Sequence, residues 1–244
     1  MSTTQQGPQR LYLFQLAMVG GDRPVPGYLI QTGDGVNVLV DTGFPKSMIG
    51  ETIREGRPPV TMKESEYVVN QLAALGLKPG DIHYLIATHF DVDHSGNHEQ
   101  FTNAELVVQR QHYELATSGF ERFAPNREHW GAPGLRYRQL DGDTELLPGI
   151  ELIESSGHVP GHQAVLVRLP ATGPVLLAID AIPTQAGLDA DNRPRGPFDM
   201  DMDGVRASTR KLVALAQREG VALIVHGHDA EQWKTLKKSP EYYS

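Results

Sequence analysis

The sequence contains no cysteine. That excludes a disulfide framework and any thiolate metal ligand, so a metal would have to be held by imidazole and carboxylate. Long apolar runs are missing too, and no segment reaches the roughly 18 uninterrupted apolar residues that a membrane span needs. The opening stretch MSTTQQGPQRLYLFQLAM lacks a signal peptide's basic start, apolar core and small-residue cleavage site. A cytoplasmic protein is therefore expected. Basic residues are outnumbered, 22 Lys and Arg against 30 Asp and Glu, for a net charge of -8. Such a surface repels phosphate backbones and anionic lipid headgroups, which makes nucleic acid and membrane unexpected partners. There is no low-complexity tract, like-charge run or dividing linker, so residues 1 to 244 are expected to form a single domain with a substantial core.

What is present begins as β structure. RLYLFQLAM is followed by GYLIQ and VNVLVDT, with the turn-forming TGDG between the last two. From Lys63 the period changes: Val68, Val69, Leu72 and Leu75 recur at helical spacing and Gly76 follows, predicting a helix over residues 63 to 75. IHYLIAT then reads as a buried strand. Later come AELVVQ, short strands flanking DGDTELLPG, and the pair AVLVRLP and VLLAIDA around ATGP. Val205, Leu212, Val213 and Ala216 mark a last helix that stops at Gly220 and feeds VALIV. The repeated order of β-rich segment, helix and strand predicts an α/β fold of two similar halves, layered helix, sheet, sheet, helix.

The histidines and aspartates fall where strands end. IHYLIAT runs into THFDVDHSGNH, which carries His89, Asp91, Asp93 and His94; ELIESSG runs into His158, VLLAI into Asp180, and VALIV into His226 and His228. Loops leaving one edge of a sheet can bring such side chains together on a rigid scaffold, as a metal site requires. The bland alternative, in which Asp91 and Asp93 merely cap a following helix, leaves the paired histidines and the later strand-end residues unexplained.

These segments resemble the metallo-β-lactamase-fold hydrolases, and within them the N-acyl-homoserine lactonases. The resemblance is carried by VDTG (40 to 43), THFDVDHSGNH (88 to 98), GHVPGHQ (157 to 163), LLAIDA (176 to 181) and HGHDAEQW (226 to 233). It implies a four-layer αββα sandwich with two divalent metal ions at one edge. Residue by residue, it implies that His89, Asp91 and His158 hold one ion. Asp93, His94 and His228 hold the other, and Asp180 bridges the two. Asp41 is expected to orient a ligand, and His162 to anchor its loop. His226 ranks behind His228 on the family's pattern alone, while His83, His98, His112 and His129 match no ligand position and are expected to be ordinary histidines. The expected chemistry is opening of a lactone, an N-acyl-homoserine lactone or similar, by attack of a metal-bridging hydroxide. Asp93 and Asp180 are the catalytic carboxylates, Asp93 relaying a proton to the leaving oxygen.

Two positions depart from the family pattern. Asp91 stands where most lactonases have histidine, and Pro183 replaces a tyrosine three residues after the bridging aspartate. Asp91 adds negative charge to a cluster that already holds Asp93 and Asp180. Zinc is the family's metal, and the extra carboxylate shifts the expectation toward Mn, Fe or Co. On this count Asp91→His should retain both ions and move preference toward zinc. Substrate-pocket candidates are Phe90, Ile182, Phe120, Phe123, Trp130 and Phe198, several of them in GFERFAPNREHW (119 to 130) and the long loop PTQAGLDADNRPRGPFDMD (183 to 201). The expected partner is a small-molecule lactone or ester, with a homodimer as the one assembly considered. The alternatives are hydrolysis of another ester, a noncatalytic binding protein that kept the fold, and the di-iron oxygen-reducing branch with its HxExDH motif. That branch usually carries a flavodoxin domain after this one, whereas this sequence ends at Ser244.

Overall fold

TGDG turns the chain between two antiparallel strands, β2 (Arg23–Thr32) and β3 (Asn37–Val40), and β2 also pairs with the long β1 (Pro8–Val19). The Thr32 hydroxyl closes the turn by accepting from the Val36 N–H at 2.9 Å. The structure is a computed structural model that describes residues 6–53 and 56–244. The first five residues of the stretch read as lacking a leader lie outside the described residues. Two short strands that alternation did not announce, β4 (Gly50–Thr52) and β5 (Val60–Met62), extend the other edge of β1.

The helix expected over residues 63 to 75 is shorter. A single 3₁₀ turn, Glu64–Glu66, comes first, because the Glu66 carboxylate accepts from the Lys63 N–H at 2.7 Å, and only then does α1 (Val68–Ala74) begin. Apolar periodicity does not register a turn held by a polar side chain. Gly76 stops the helix at φ +76. The chain then enters β6 (Tyr84–Ile86), parallel to β3, and β7 (Glu105–Gln109). After α2 (Arg110–Thr117) and α3 (Arg127–Trp130), β8 (Arg136–Leu140) completes an eight-stranded sheet ordered β4-β5-β1-β2-β3-β6-β7-β8.

The second sheet has five strands: β9 (Thr144–Leu147), β10 (Ile150–Glu154), β11 (Gln163–Leu169), β12 (Gly173–Ile179) and β13 (Leu223–His226), ordered β13-β12-β11-β10-β9. Between β12 and β13 runs α4 (Met202–Glu219), capped by the Asp201 carboxylate at one end and by Gly220 at φ +61 at the other. A short α5 (Ala230–Thr235) follows β13. The halves share a plan of strand, helix and parallel strand (β3-α1-β6 and β12-α4-β13) but differ in size.

The layers follow from period-two burial. Leu11, Leu13, Ile30, Val38 and Val40 face Leu152, Val165, Val167, Val175 and Leu177 of the other sheet. The alternate residues Phe14, Leu29, Leu39 and Leu85 pack under Val68 and Leu72 of α1, while Leu166, Leu176 and Ala178 pack under Leu212 and Leu215 of α4. Strands covered on both faces read as nearly continuous apolar runs. Each such leucine contributes about 1.5–3 kcal/mol by burial. The parallel pairs point β3 and β6 the same way, and likewise β12 and β13, which sends their C-terminal loops to a common edge.

Candidate metal centre

Strain marks the loops at that edge. Asp41, directly after β3, sits at φ +57, and Ile179, the residue before Asp180, at φ +51. A β-branched residue rarely adopts this conformation. The β12–β13 register shifts between Leu177 and Ile179, so the strand bulges just before it delivers Asp180. The turn carrying Asp91, Asp93 and His94 is pinned to the VDTG segment: Thr42 N–H donates to the His94 carbonyl at 2.7 Å, and Asn97 Nδ2 donates to the Thr42 and Phe44 carbonyls. Gly96 is required there, because a Cβ would lie 2.4 Å from the Pro45 nitrogen. No α-helix follows Asp91 and Asp93, which removes the capping explanation.

Each of the four clustered histidines is tied through Nδ1, leaving Nε2 turned inward. His89 Nδ1 is 3.0 Å from the Thr88 hydroxyl, His94 Nδ1 2.8 Å from Asp41 Oδ2, His158 Nδ1 3.0 Å from Asp199 Oδ1, and His228 Nδ1 2.8 Å from the Pro24 carbonyl. Asp41 is itself held, accepting from the Thr88 N–H and hydroxyl at 2.9 and 2.8 Å. It therefore fixes the orientation of the His94 ring.

The Nε2 atoms sort into two sets around Asp180. Its Oδ2 lies 3.3 Å from His158 Nε2 and 3.8 Å from His89 Nε2, and its Oδ1 lies 3.1 Å from His228 Nε2 and 3.7 Å from His94 Nε2. Asp91 Oδ2 joins the first set, at 3.3 Å from His89 and 3.2 Å from His158. Asp93 Oδ2 joins the second, at 3.9 Å from His94 and 3.8 Å from His228. Within His89, Asp91 and His158, and within Asp93, His94 and His228, candidate donor atoms all lie within 4.8 Å of one another. His89 Nε2, His94 Nε2 and Asp180 Oδ1 are buried and accept no hydrogen bond. Buried lone pairs without partners are costly, and these converge as imidazole and carboxylate donors do around divalent cations. The residues fit two such ions.

The electrostatics agree. Burial opposes charge on His94, but Asp41, Asp93 and Asp180 outweigh it and lift its pKa to about 10. Burial likewise opposes charge on His158, which Asp180, Asp199 and Asp91 raise to about 9. His89, desolvated and beside His94, falls to about 3. Burial works against the Asp180 carboxylate, yet His228, His94 and His158 hold it well below the usual range. A field this negative at the centre favours cations.

Sequence reasoning missed two side chains. Arg122 forks onto Asp91, Nε to Oδ1 at 2.7 Å and Nη2 to Oδ2 at 2.5 Å, and Asp199 orients His158. Both lie in segments singled out for other residues, and no spacing rule connects them to the cluster. The pocket expectation needs correction. Phe90, Phe123 and Trp130 are buried among themselves, Phe90 stacked on Trp130 at 4.9 Å, and Ile182 is buried beneath α4, so these four belong to packed cores. Phe120 and Phe198 remain exposed. Phe198 adjoins the cluster through its carbonyl, which accepts from Arg122 Nη1 at 2.6 Å.

The remaining histidines have other employment. His226 Nδ1 faces the Ile182 carbonyl and His162 Nδ1 the Ser155 hydroxyl. His112 Nε2 accepts from the Phe90 N–H, His83 Nδ1 accepts from the Asn37 N–H, and His129 pairs with Glu99. His98 bonds Tyr137.

Known proteins resemble this chain over most of its length. The model of the metallo-beta-lactamase superfamily matches residues 20–228. An N-acyl homoserine lactonase from a Bacillus species is 35% identical over 227 residues, covering 91% of this chain and 87% of the relative. Among solved structures, a variant of the Bacillus thuringiensis AiiA protein with N-decanoyl-L-homoserine at its active site superposes with a TM-score of 0.85 at 31% identity, covering 97% of this chain and 100% of that one. An N-acyl homoserine lactone hydrolase with N-hexanoyl-L-homoserine bound at its catalytic metal centre gives 0.84 at 31% identity, with 97% and 100% coverage.

Proposed function

We propose, for a chain that belongs to the metallo-beta-lactamase superfamily, that it is a dinuclear-metal hydrolase opening the ring of an N-acyl-homoserine lactone or a similar lactone. The observation that carries this is the division of labour at Asp180, one oxygen toward His89 and His158 and the other toward His94 and His228. A carboxylate so placed suits a bridge between two ions. The relatives that match at 35% identity are named for the same activity.

We assign His89, Asp91 and His158 to one ion, Asp93, His94 and His228 to the other, and Asp180 to both. Two divalent ions held there would supply a hydroxide nucleophile near neutral pH and a Lewis acid for the lactone carbonyl. The protein's part is positioning. Thr88, Asp41, Asp199 and the Pro24 carbonyl engage each Nδ1, so that the Nε2 lone pairs stay turned inward. Asp93 has a side chain 23% exposed, against 16% for Asp91 and 9% for Asp180. It can therefore reach a bound substrate, and we assign it the relay of a proton, taken from the attacking hydroxide oxygen and passed to the ring oxygen that leaves when the acyl C–O bond breaks. Pro183 brings no hydroxyl to the substrate carbonyl; its own carbonyl instead accepts from the His228 N–H at 2.8 Å. The product is the N-acyl-homoserine.

Zinc is the metal supported by the resemblance, with Mn, Fe or Co favoured by the added carboxylate of Asp91. Among the described residues no helix is long and apolar enough to cross a membrane. A cytoplasmic location and a homodimer complete the proposal, to be tested by cell fractionation and light scattering. For the central claim, metals are quantified in protein purified without added metal. Acid release is then followed from acyl-homoserine lactones, simple lactones and aryl esters. Two ions per chain and lactone turnover are expected; two ions with turnover of aryl esters alone would overturn the substrate assignment. A bound iron pair that consumes oxygen would overturn the reaction class.

A further inference from the structure

A carboxylate in the middle of the ligand motif makes the cluster more negative than a histidine would, yet Asp91 does not stand alone. Arg122 approaches it with a planar two-point fork at 2.7 and 2.5 Å, the geometry that makes guanidinium–carboxylate pairs both directional and strong. Burial works against the Asp91 charge, and Arg122 leads the groups that overcome it. The oxygen that Nη2 engages is the one facing the histidines: Oδ2 lies 3.3 Å from His89 Nε2 and 3.2 Å from His158 Nε2, and Nη2 itself lies 3.0 Å from His158 Nε2.

Nor is Arg122 a free surface arm. Its Nη1 donates to the Phe198 carbonyl at 2.6 Å, and its side chain is only 18% exposed. The segment that bears it is clamped to the ligand turn, since Asn126 Nδ2 donates to the Ser95 hydroxyl at 2.6 Å and that hydroxyl donates to the Phe90 carbonyl at 3.1 Å.

We infer that Asp91 and Arg122 act as one unit in place of the neutral histidine expected at position 91, the carboxylate presenting Oδ2 to the first ion while the guanidinium fixes its plane and cancels its charge. Arg122 is thus a positioning residue that acts through Asp91. With the pair intact, the site has the net charge that a histidine would leave, and the shift away from zinc argued from Asp91 alone is offset. This rests on the two-ion assignment proposed above.

The consequence is a coupling between the two positions in a double-mutant cycle. In Asp91→His the guanidinium faces the ions without a partner, so this single change, which the sequence alone suggested would keep both ions, is expected to weaken zinc at one site by about tenfold or more. Adding Arg122→Leu should restore that loss, whereas in the parent the lost orientation of the carboxylate and its uncancelled charge act in opposite directions, so Arg122→Leu there should change zinc affinity by less than about threefold. Arg122→Lys keeps the charge, so Asp91→His with Arg122→Lys should stay as weak as Asp91→His.

Zinc stoichiometry by elemental analysis and competition against a chromophoric chelator read this out without reference to activity. Thermal melting and circular dichroism establish that each variant is folded. If Arg122→Leu shifts zinc affinity equally in both backgrounds, Arg122 merely anchors the 183 to 201 loop and the inference fails. It fails also if Asp91→His holds two ions as tightly as the parent, or if lysine rescues as well as leucine does. Parent protein that holds fewer than two ions overturns the two-ion assignment and this inference together. Two ions without coupling overturns this inference alone.

Discussion

A buried imidazole nitrogen without a partner has two meanings here, and its neighbours decide which. His89 Nε2 and His94 Nε2 lie among Asp91, Asp93 and Asp180, whereas His98 Nε2 is equally buried and unpartnered but has no carboxylate facing it. Its Nδ1–H donates to the Tyr137 hydroxyl, which in turn donates to the Trp130 carbonyl. Desolvation, helped by His129, drops the His98 pKa to about 3 from 6.5. The folded protein therefore refuses a proton that the unfolded chain accepts. The stabilising contribution is whole above pH 6.5 and is lost as pH falls from there toward 3, at about 1.4 kcal/mol per pH unit. Denaturant titrations at pH 7 and pH 5 should differ by about 2 kcal/mol on this account, and His98→Phe should remove that share of the difference. An unchanged difference would show that His98 protonates freely in the fold.

At the level of elements, the end of β12 is where local strain is exchanged for placement of a functional group. The bulge and the φ of +51 at Ile179 swing Asp180 out of the strand, and the loop after β13 must pass close beneath it. Gly227 makes that passage possible, because a Cβ there would lie 2.5 Å from the Ile179 carbonyl oxygen and 2.8 Å from Asp180 Oδ1. Gly227→Ala should cost about 1–3 kcal/mol by overpacking and, by displacing Asp180, weaken metal binding about tenfold or more. Gly220→Ala is the control. Its φ of +61 is unfavourable for alanine but its Cβ meets nothing within 4 Å, so about 1 kcal/mol should be lost with metal content intact. Equal metal content in the two variants would refute the steric account. The HGHD string was legible as a family motif, but the duty of its glycine was not, since the atoms it avoids lie some 50 positions earlier in the chain.

Across the whole molecule, the cluster draws His89, Asp91, Asp93 and His94 from the first sheet's loops and His158, Asp180 and His228 from the second's, so bound ions would tie the two sheets at one edge. The sheets also share a buried apolar interface, which does not depend on metal. Removing the ions with a chelator should therefore lower Tm by roughly 10 °C, as expected for loss of a ligand present at about a thousand times its Kd. Far-UV circular dichroism should hardly change. One transition with or without metal is expected from the proposal that residues 1 to 244 form a single domain. Two separated transitions would divide the halves into independent units.

The sequence by itself determined the layered α/β plan and the gathering of ligand-type side chains at strand ends. Those properties are written in local order: period two against period 3.6, Gly76 and Gly220 as stops, and histidines and aspartates that directly follow apolar runs. What it left open were interactions whose partners are far apart in the chain. The 3₁₀ turn before α1 depends on one carboxylate, the burial of Phe90, Phe123 and Trp130 on which faces meet, and Arg122 reaches Asp91 across 31 positions. Asp91 read alone was an added negative charge. Its counter-charge became visible only in the folded chain, because electrostatic pairing is set by distance in space and not by distance in sequence.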